Sequence, residues 1–238
     1  MARKPMTKEE FQRRFAEIRN KQFKRDVRGT GGAGNTLENL LNLGVDNKQS
    51  SDLGFAELKV RMKDATSSVK LFSLDRDAWR ITKSDAAQKF GTKSDDGRKR
   101  LYFEMRQGTI TKTGLQFFSD NESVSILSPN NDVIAEWSLD TLVKTFANKI
   151  KELVVVTAEM KMGAGGYDYY VYRNAFHLHG FSKNQIRAAF LQNVITLNLH
   201  VESISIRTDG SWKMKNRGTA FRVDEDKLEK LFEHKDML

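Results

Sequence analysis

The stretch Ser51-Asp52-Leu53-Gly54-Phe55-Ala56-Glu57-Leu58-Lys59-Val60 decides how the rest of the chain is interpreted. Its second half alternates polar and apolar residues, which predicts a strand over residues 55–62. Because successive side chains of a strand point to opposite faces, Phe55, Glu57 and Lys59 would share one face. The apolar residues between them would then enter a core.

The charged residues of this stretch have the spacing Asp-x4-Glu-x-Lys. Asp52 stands just before the strand and can turn its carboxylate towards Glu57. Two converging carboxylates predict a Mg²⁺ site, because this ion prefers oxygen ligands. Lys59 beside them can orient or deprotonate a water, or stabilise the charge on a phosphate. The pattern therefore predicts metal-assisted phosphodiester hydrolysis, and a surface strand with a salt bridge is the alternative.

The segment upstream adds a third carboxylate and a glycine-rich turn. Residues 35–43 are predicted to form a helix on which Glu38 could face the same site, or lie exposed as an ordinary helix carboxylate. The preceding Gly32-Ala33-Gly34-Asn35-Thr36 brings flexible backbone to a helix N-terminus, which attracts phosphate. It lacks the Gly-Lys-Thr/Ser ending of a Walker A loop, which excludes an ATPase of that class.

The composition narrows the class of protein. The 238 residues are 39% hydrophobic and include 15 Phe, so the chain can bury a core. The absence of Cys excludes a disulfide scaffold, a Cys-ligated zinc site and a thiol nucleophile. Neither a signal peptide nor an apolar run long enough to span a membrane is present, so we expect a cytoplasmic protein.

The net charge of +9 is concentrated in three segments. Residues 1–30 carry a net +6, residues 76–100 a net +4 and residues 207–222 a net +4, while the rest of the chain is net negative. If folding brings them together, the three segments would suit the phosphates of a nucleic acid. Ordinary solvated faces are the alternative.

The remaining patterns predict a mixed fold. Helices are expected near 7–24, 83–90, 138–150, 182–191 and 224–232, and strands near 68–72, 153–158, 167–172, 195–206 and 217–223, with a meander of short strands between 101 and 137. The first helix would begin at a capping box of Thr7 and Glu10 and carry an apolar stripe of Phe11, Phe15 and Ile18. This order predicts an α/β or α+β fold with a core sheet and added antiparallel strands.

Four motifs in order resemble one family. They are residues 32–41 (Gly-Ala-Gly-Asn-Thr-Leu-Glu-Asn-Leu-Leu), Asp52 with Glu57-Leu58-Lys59, Val69-Lys70-Leu71-Phe72, and Arg217-Gly218-Thr219-Ala220-Phe221-Arg222. The set resembles the MvaI/BcnI-type restriction endonucleases, relatives of the MutH mismatch-repair nickase in the PD-(D/E)xK nuclease superfamily. Length and motif order agree from about residue 29 to residue 230.

The resemblance implies a fold, an activity and a set of site residues. The fold would be α/β, a PD-(D/E)xK restriction-endonuclease-like mixed sheet flanked by helices, with a second lobe for DNA recognition. Catalysis would rest on Asp52, Glu57 and Lys59, with Asp52 and Glu57 holding Mg²⁺ and Glu38 as a supporting carboxylate. The enzyme would be a monomer that cleaves double-stranded DNA at a short specific site by nicking each strand in turn.

The resemblance also sets expectations for the partners and the recognition site. A cognate DNA methyltransferase is expected in the same host, without physical contact. Asn35 stands where many relatives carry Lys, and this departure weakens the case for a phosphate contact there. Ser73 and Ala220 occupy positions that vary among relatives and are tied to the central base pair, so the recognition sequence does not carry over.

The predicted lobes divide the chain unevenly. Residues 1–85 would form the catalytic lobe, with residues 138–160 contributing a core helix and strand. Residues 86–137 and 161–238 would form the DNA-recognition lobe.

Candidate DNA contacts lie in the C-terminal third. The strand 195–206 alternates so that Thr196, Asn198, His200 and Glu202 face outward. Of these, Asn198 and His200 could reach base edges, unless the strand is an edge strand with a wet face. Farther on, Lys213 and Lys215 suit phosphates, Arg217 and Arg222 suit bidentate contact with guanine, and Arg207 suits either.

His177 and His179 are two residues apart and could share a strand face. The sequence offers them no third metal ligand, so buried or surface histidines are the simpler interpretation.

Two alternative functions stay open at this point. One is a nicking repair endonuclease like MutH, which would leave open circles rather than linear DNA. The other is a DNA-binding module without catalysis, which would shift DNA in a gel without cutting it.

Overall fold

The structure is a computed structural model that describes residues 5–25, 31–43, 51–63, 68–75, 77–95, 98–163, 168–206 and 212–238. The side chains of 203–206, 212–214, 216 and 217 are not part of the description. The α-helices are α1 (Lys8–Ile18), α2 (Gly32–Leu40), α3 (Lys83–Phe90), α4 (Leu139–Lys149) and α5 (Lys183–Leu191), and a 3-10 helix covers Glu225–Leu231. The strands are β1 (Gln22–Lys24), β2 (Glu57–Met62), β3 (Ser68–Ser73), β4 (Thr92–Lys93), β5 (Lys99–Met105), β6 (Gln116–Ser119), β7 (Ser123–Leu127), β8 (Val133–Ser138), β9 (Leu153–Met162), β10 (Asp168–His179), β11 (Ile195–Ile206), β12 (Trp212–Asp224) and β13 (His234–Met237). None of the described helices is long and apolar enough to cross a membrane.

Contacts divide the chain into two compact units. Unit 1 is Met1–Ser67, Ala147–Ser182 and Leu231–Leu238, and unit 2 is Ser68–Phe146 and Lys183–Lys230. These boundaries differ from the predicted lobes, because 68–85 and 138–146 group with unit 2 and 161–182 and 231–238 with unit 1. The difference arises because strands distant in sequence pair with each other, which local patterns do not reveal.

Unit 1 is built on a mixed sheet in the order β1-β10-β9-β2, with β13 also paired to β10. The strand predicted at 153–158 is β9, and it lies between β10 and β2, as its apolar run indicated. β2 runs parallel to β9, with Glu57 opposite Leu153 and Lys59 opposite Val155. The other pairings in this sheet are antiparallel.

Two helices cover one face of this sheet. The predicted stripe of α1 is confirmed: Phe11, Phe15 and Ile18 are buried, and Thr7 caps the helix by accepting a hydrogen bond from the Glu10 N–H (3.2 Å). These three side chains belong to one core cluster. The cluster also contains Leu37 of α2 and apolar residues from β2 and β9. Burial of this shared face, rather than helix propensity, holds α1 and α2 in place.

Unit 2 contains two antiparallel sheets. The larger has the order β3-β12-β11-β5-β4, and the smaller is the meander β6-β7-β8. The meander expected between residues 101 and 137 is therefore divided, because β5 pairs with β11 in the larger sheet. Phe221 of β12 lies in the core of the larger sheet, with Phe72, Trp137 and Phe190 around it at ring-centroid distances of 5.1, 5.5 and 5.8 Å. Aromatic packing of this kind fixes the sheet's inner face and leaves the opposite face to polar residues.

The strand predicted at 195–206 is present, and the alternative of an edge strand was wrong. Its bounds match β11, and Ile195, Leu197, Leu199 and Val201 are buried, but β11 lies between β12 and β5 and is not an edge strand. Thr196, expected to face solvent, is also buried. Thr196 lies at the start of β11, where its neighbour on β12 is Arg222.

Several other elements differ from the prediction. The helix expected at 7–24 ends at Ile18, and residues Gln22–Lys24 form the strand β1. The helix expected at 35–43 begins at Gly32, so part of the predicted flexible turn is its first turn, where Thr36 Oγ1 donates to the Gly32 carbonyl (2.8 Å). The closing helix expected at 224–232 is a 3-10 helix, followed by the unpredicted strand β13. The four residues of β13 are too few and too polar to give the alternating pattern that predicts a strand.

Candidate active site

Glu57 and Lys59 form an ion pair on one face of β2. Lys59 Nζ donates to Glu57 Oε1 at 2.7 Å, and the two side chains are 30% and 24% exposed for Lys59 and Glu57 respectively. Between them Leu58 turns to the other face and is buried in the core cluster. The predicted alternation is therefore confirmed for Glu57, Leu58 and Lys59. The strand begins at Glu57, and Phe55, which was expected on the face of Glu57, packs instead against the core cluster.

The side chain of Asp52 is hydrogen-bonded to the backbone of the same strand. The Leu58 N–H donates to Asp52 Oδ2 at 3.1 Å, which places this carboxylate against the residue between Glu57 and Lys59. The turn is fixed at its base, because the Leu53 N–H donates to the Ala56 carbonyl at 3.0 Å and Leu53 is fully buried. Asp52 is therefore held by a closed turn.

Gly54 shapes this turn, and the sequence pattern did not single it out. Its φ is +87°, and a Cβ at this position would lie 2.4 Å from Pro5 Cβ. The Met6 N–H donates to the Leu53 carbonyl at 2.9 Å, so the segment before α1 packs directly on the turn. Only glycine combines this backbone conformation with so close an approach. The φ > 0 requirement could have been suspected from Asp-Leu-Gly, but the approach of Pro5 could not.

Glu38 and Asn35 lie on α2, which packs against β2. Asn35 is exposed and Glu38 is half-buried. The helix is anchored by Tyr172 of β10, whose hydroxyl donates to the Ala33 carbonyl at 2.8 Å, and burial raises the pKa of this phenol. The roles expected for Glu38 and Asn35 stay predictions.

The donor set at this site fits a hard divalent cation. Asp52 and Glu57 offer carboxylate oxygens, neither residue is deeply buried, and Lys59 already neutralises part of the charge on Glu57. Carboxylate oxygens are the ligands that Mg²⁺ takes in proteins, usually with several waters retained. Softer nitrogen or sulfur ligands are not part of this set.

A row of polar residues crosses the larger sheet of unit 2. Ser73 of β3 is opposite Ala220 of β12, and Ala220 is opposite Asn198 of β11, whose other neighbour is Glu104 of β5. These residues lie on the face opposite Phe221. The register thus brings Ser73, Ala220 and Asn198 onto one line, although 147 residues separate the first two in sequence.

Several polar atoms on this face are buried without a hydrogen-bond partner. They include Ser73 Oγ, Asn198 Oδ1 and Thr196 Oγ1. Buried polar groups are nearly always paired in proteins, so these three oxygens keep hydrogen-bonding capacity that the described residues do not use. Thr196 was not among the predicted contacts, because simple alternation does not show which outward residues are shielded.

The basic residues predicted to contact DNA differ in their hydrogen bonds and in their exposure. Arg222, opposite Thr196, donates through Nε to Ser68 Oγ (2.8 Å) and through Nη2 to the Ser68 carbonyl (2.5 Å). Lys215 is exposed on β12. Lys213 and Arg217 also lie on β12, but their side chains are outside the described part, and Arg207 lies outside the described residues altogether.

His200 is half-buried and packs edge-on against Tyr102 of β5, with ring centroids 3.9 Å apart. The two residues are direct cross-strand neighbours. Tyr102 therefore fixes the orientation of the imidazole, and sequence inspection had given this tyrosine no role.

Asp75 supports the end of this polar row. Its Oδ1 accepts hydrogen bonds from the Thr219 N–H (3.1 Å) and from Lys83 Nζ (2.7 Å). Burial by itself would raise the pKa of the Asp75 carboxyl, but the hydrogen bonds from Lys83 and Thr219 outweigh it, and the pKa lies below its usual value. Asp75 thereby links α3 to β12 next to Ser73. No sequence motif predicted this role.

The comparisons with known proteins identify the family of the chain. The family model described as the MvaI/BcnI restriction endonuclease family matches residues 12–232. A comparison with curated protein sequences found no significant match.

Two solved structures are similar in fold. One is described as a restriction endonuclease MvaI–cognate DNA substrate complex, with a TM-score of 0.76, 19% identity, and coverage of 98% of this chain and 99% of that chain. The other is restriction endonuclease MvaI in the absence of DNA, with a TM-score of 0.56, 19% identity and 99% of each chain covered. The mixed α/β fold expected from the sequence is confirmed by these matches, and the family match covers nearly the whole chain. The chain therefore belongs to the MvaI/BcnI restriction endonuclease family and is a type II restriction endonuclease.

Proposed function

We propose that this endonuclease hydrolyses phosphodiester bonds of double-stranded DNA at a short specific sequence, with Mg²⁺ held by Asp52 and Glu57. The observation that carries the proposal is the 2.7 Å pair of Lys59 and Glu57 beside an Asp52 that is fixed to the intervening residue. A surface salt bridge would need only Lys59 and Glu57. The second carboxylate, that of Asp52, supports a metal site instead.

Each residue has a distinct part in this proposal. Mg²⁺, when bound, would neutralise charge on the scissile phosphate and increase the nucleophilicity of water. Lys59 would orient the attacking water, or stabilise the negative charge that develops on the phosphate oxygens. Its contact with Glu57 fixes the position of Nζ, so little reorganisation is needed when the substrate arrives. Glu38 would support the site from α2 as a further carboxylate.

The DNA would be recognised by the polar face of the larger sheet. Unpaired oxygens of Ser73 and Asn198 support this assignment, because base edges offer the donors that such oxygens lack. Arg222 would read a guanine after release from Ser68 or through its remaining N–H groups. Lys215, together with Lys213, would contact phosphates, and Arg207, Arg217, His200 and Asn35 complete the proposed contacts.

We further propose that the enzyme acts as a monomer and cuts the two strands in turn. A time course on supercoiled plasmid with one recognition site tests this order. Sequential nicking is supported if open circles rise first and then convert to linear DNA. The monomer is supported if the rate of that conversion does not depend on dimerisation of the enzyme. Open circles that persist would favour a nicking repair endonuclease, and direct appearance of linear DNA would contradict sequential nicking.

A further inference from the structure

Three of the four histidines of the chain lie on one pair of strands in unit 1. In the antiparallel ladder of β10 and β13, His177 is opposite Asp236 and His179 is opposite His234. Because residues two apart share a strand face and opposite residues are neighbours, these four side chains form a square on one side of the pair. No motif connects them in sequence, and none of them belongs to the group of Asp52, Glu57 and Lys59.

The side chains of this square converge. One ligand atom from each of His177, His179 and Asp236 lies within 4.8 Å of the others. His179 Nε2 is 3.0 Å from Asp236 Oδ2, and the ring centroids of His177 and His179 are 4.7 Å apart. The His234 ring lies 5.1 Å from that of His179. Small side-chain rotations would bring three donors to a common ion.

His177 has the surroundings of a metal ligand. It is nine-tenths buried, and its Nε2 lies 2.7 Å from Glu152 Oε2, while its Nδ1 is buried with no hydrogen-bond partner. If Nε2–H donates to Glu152, the tautomer leaves a lone pair on Nδ1. Metal-binding histidines usually donate their other N–H to a carboxylate in this way, which orients the ring and increases its basicity. An unpaired buried nitrogen is costly unless something binds it.

We infer that His177, His179 and Asp236 form a zinc site, separate from the Asp52–Glu57 site, that joins β13 to β10. Two imidazole nitrogens and one carboxylate oxygen are a set that Zn²⁺ binds with a fourth position open. The His234 ring, 5.1 Å from that of His179, offers a further nitrogen nearby. Mg²⁺ is a poor occupant, because it prefers oxygen ligands. The ion would replace the His179–Asp236 hydrogen bond and the 3.5 Å contact of Lys8 with Asp236.

A bound ion would hold β13 against β10. β13 is exposed along its length and pairs only with β10 among the described strands, and the Leu238 N–H donates to the Ala175 carbonyl at 2.9 Å. A four-residue strand at an edge opens easily. An ion that binds residues of both strands would stabilise the closed ladder by mass action.

The test is zinc binding by the tag-free, chelator-treated full-length protein, measured by calorimetry without DNA. We expect one Zn²⁺ per chain. Because His179 and Asp236 are partly exposed, H179A and D236N should fold normally. Each should weaken zinc binding by more than the roughly 10- to 100-fold that loss of an outer-shell partner alone causes, because each removes a ligand. H200Q, which removes the one histidine outside the square, is the matched control and should leave zinc affinity unchanged. Cu²⁺ as a probe should show nitrogen coupling in its electron paramagnetic resonance spectrum, reduced in H179A.

Several results would overturn the inference. They are the absence of stoichiometric zinc binding, equal binding by wild type and H179A, or a loss in H200Q as large as that in H179A. Amide exchange adds a readout at the site itself: zinc should slow exchange in β13 in the wild type but not in D236N. Exchange unaffected by zinc would contradict the role assigned to the ion. None of these readouts depends on DNA cleavage.

Discussion

Lys59 Nζ lies 2.7 Å from Glu57 Oε1, and the Leu58 N–H between these residues is bonded to Asp52. One strand edge thus gathers a cation and two carboxylates through contacts that span only eight residues. A short segment of this kind keeps its geometry as long as β2 is paired with β9 and its apolar face is buried. The arrangement leads to predictions in which neighbouring residues of the same type act as controls.

Replacing either member of the pair should abolish cutting and spare binding. For K59A and E57Q we expect the cleavage rate to fall about 100-fold or more, because the group that stabilises charge on the phosphate or holds the metal is lost. Single-turnover cleavage and a gel shift without metal measure the two properties separately.

Lys63 provides the matched control for that experiment. It follows β2 directly and pairs with Glu159 at 3.3 Å, but its side chain is 67% exposed. K63A should therefore keep the wild-type cleavage rate. A K63A loss as large as that of K59A would show that general charge, and not the position of Nζ, matters.

Gly54→Ala should destabilise the turn that carries Asp52. The positive φ costs about 1–3 kcal/mol for a residue with a Cβ, and the contact with Pro5 Cβ at 2.4 Å adds to it. We expect slower cleavage and a lower free energy of unfolding, measured by urea denaturation.

Gly108→Ala separates backbone strain from steric contact. Gly108 also has a positive φ, +79°, but a Cβ there meets nothing within 4 Å. This variant should lose only the strain, about 1–2 kcal/mol, and keep the cleavage rate. Equal losses of stability in both variants would remove the role assigned to Pro5.

Asn198 and Lys215 should affect DNA binding in different ways. N198A should weaken binding to the cognate site by about 1–3 kcal/mol and relax the preference at one base pair. K215A should weaken binding to all sequences alike and reduce the slope of log K against log salt by about 1. Binding titrations on cognate and altered duplexes at several salt concentrations distinguish the two. A sequence-independent loss in N198A would contradict its assignment to a base edge.

Asp75 should contribute stability that depends on pH. Its pKa is lowered in the folded protein, so its contribution is present above the unfolded pKa of about 4 and is lost as pH falls through the lower folded value. D75N should lower the free energy of unfolding by about 1–3 kcal/mol at pH 7, and the difference from wild type should shrink below pH 4. A difference that is constant from pH 7 to pH 3 would exclude the charge as its cause.

The sequence predicted well those features that local patterns determine. The stripe of α1, the alternation around Glu57 and Lys59, and the bounds of α3 and β11 all follow from spacing within one segment. Burial selects one face of a helix or strand, and that selection is visible in the order of apolar residues.

Features that depend on pairing between distant strands could not be predicted. The line from Ser73 to Asn198 exists because β12 joins β3 to β11, and the histidine square exists because β13 returns to β10. Register over such distances is set by the whole fold, so Thr196 was expected to be exposed and His177 and His179 were left without a third ligand. Pro5 meets Gly54 for the same reason.

Digestion of plasmid DNA by the purified wild-type chain tests the central claim most directly. With Mg²⁺ we expect discrete fragments whose sequenced ends share one short sequence, and with chelator we expect none. Intact plasmid at every salt and Mg²⁺ concentration, or fragments with ends of unrelated sequence, would contradict the account.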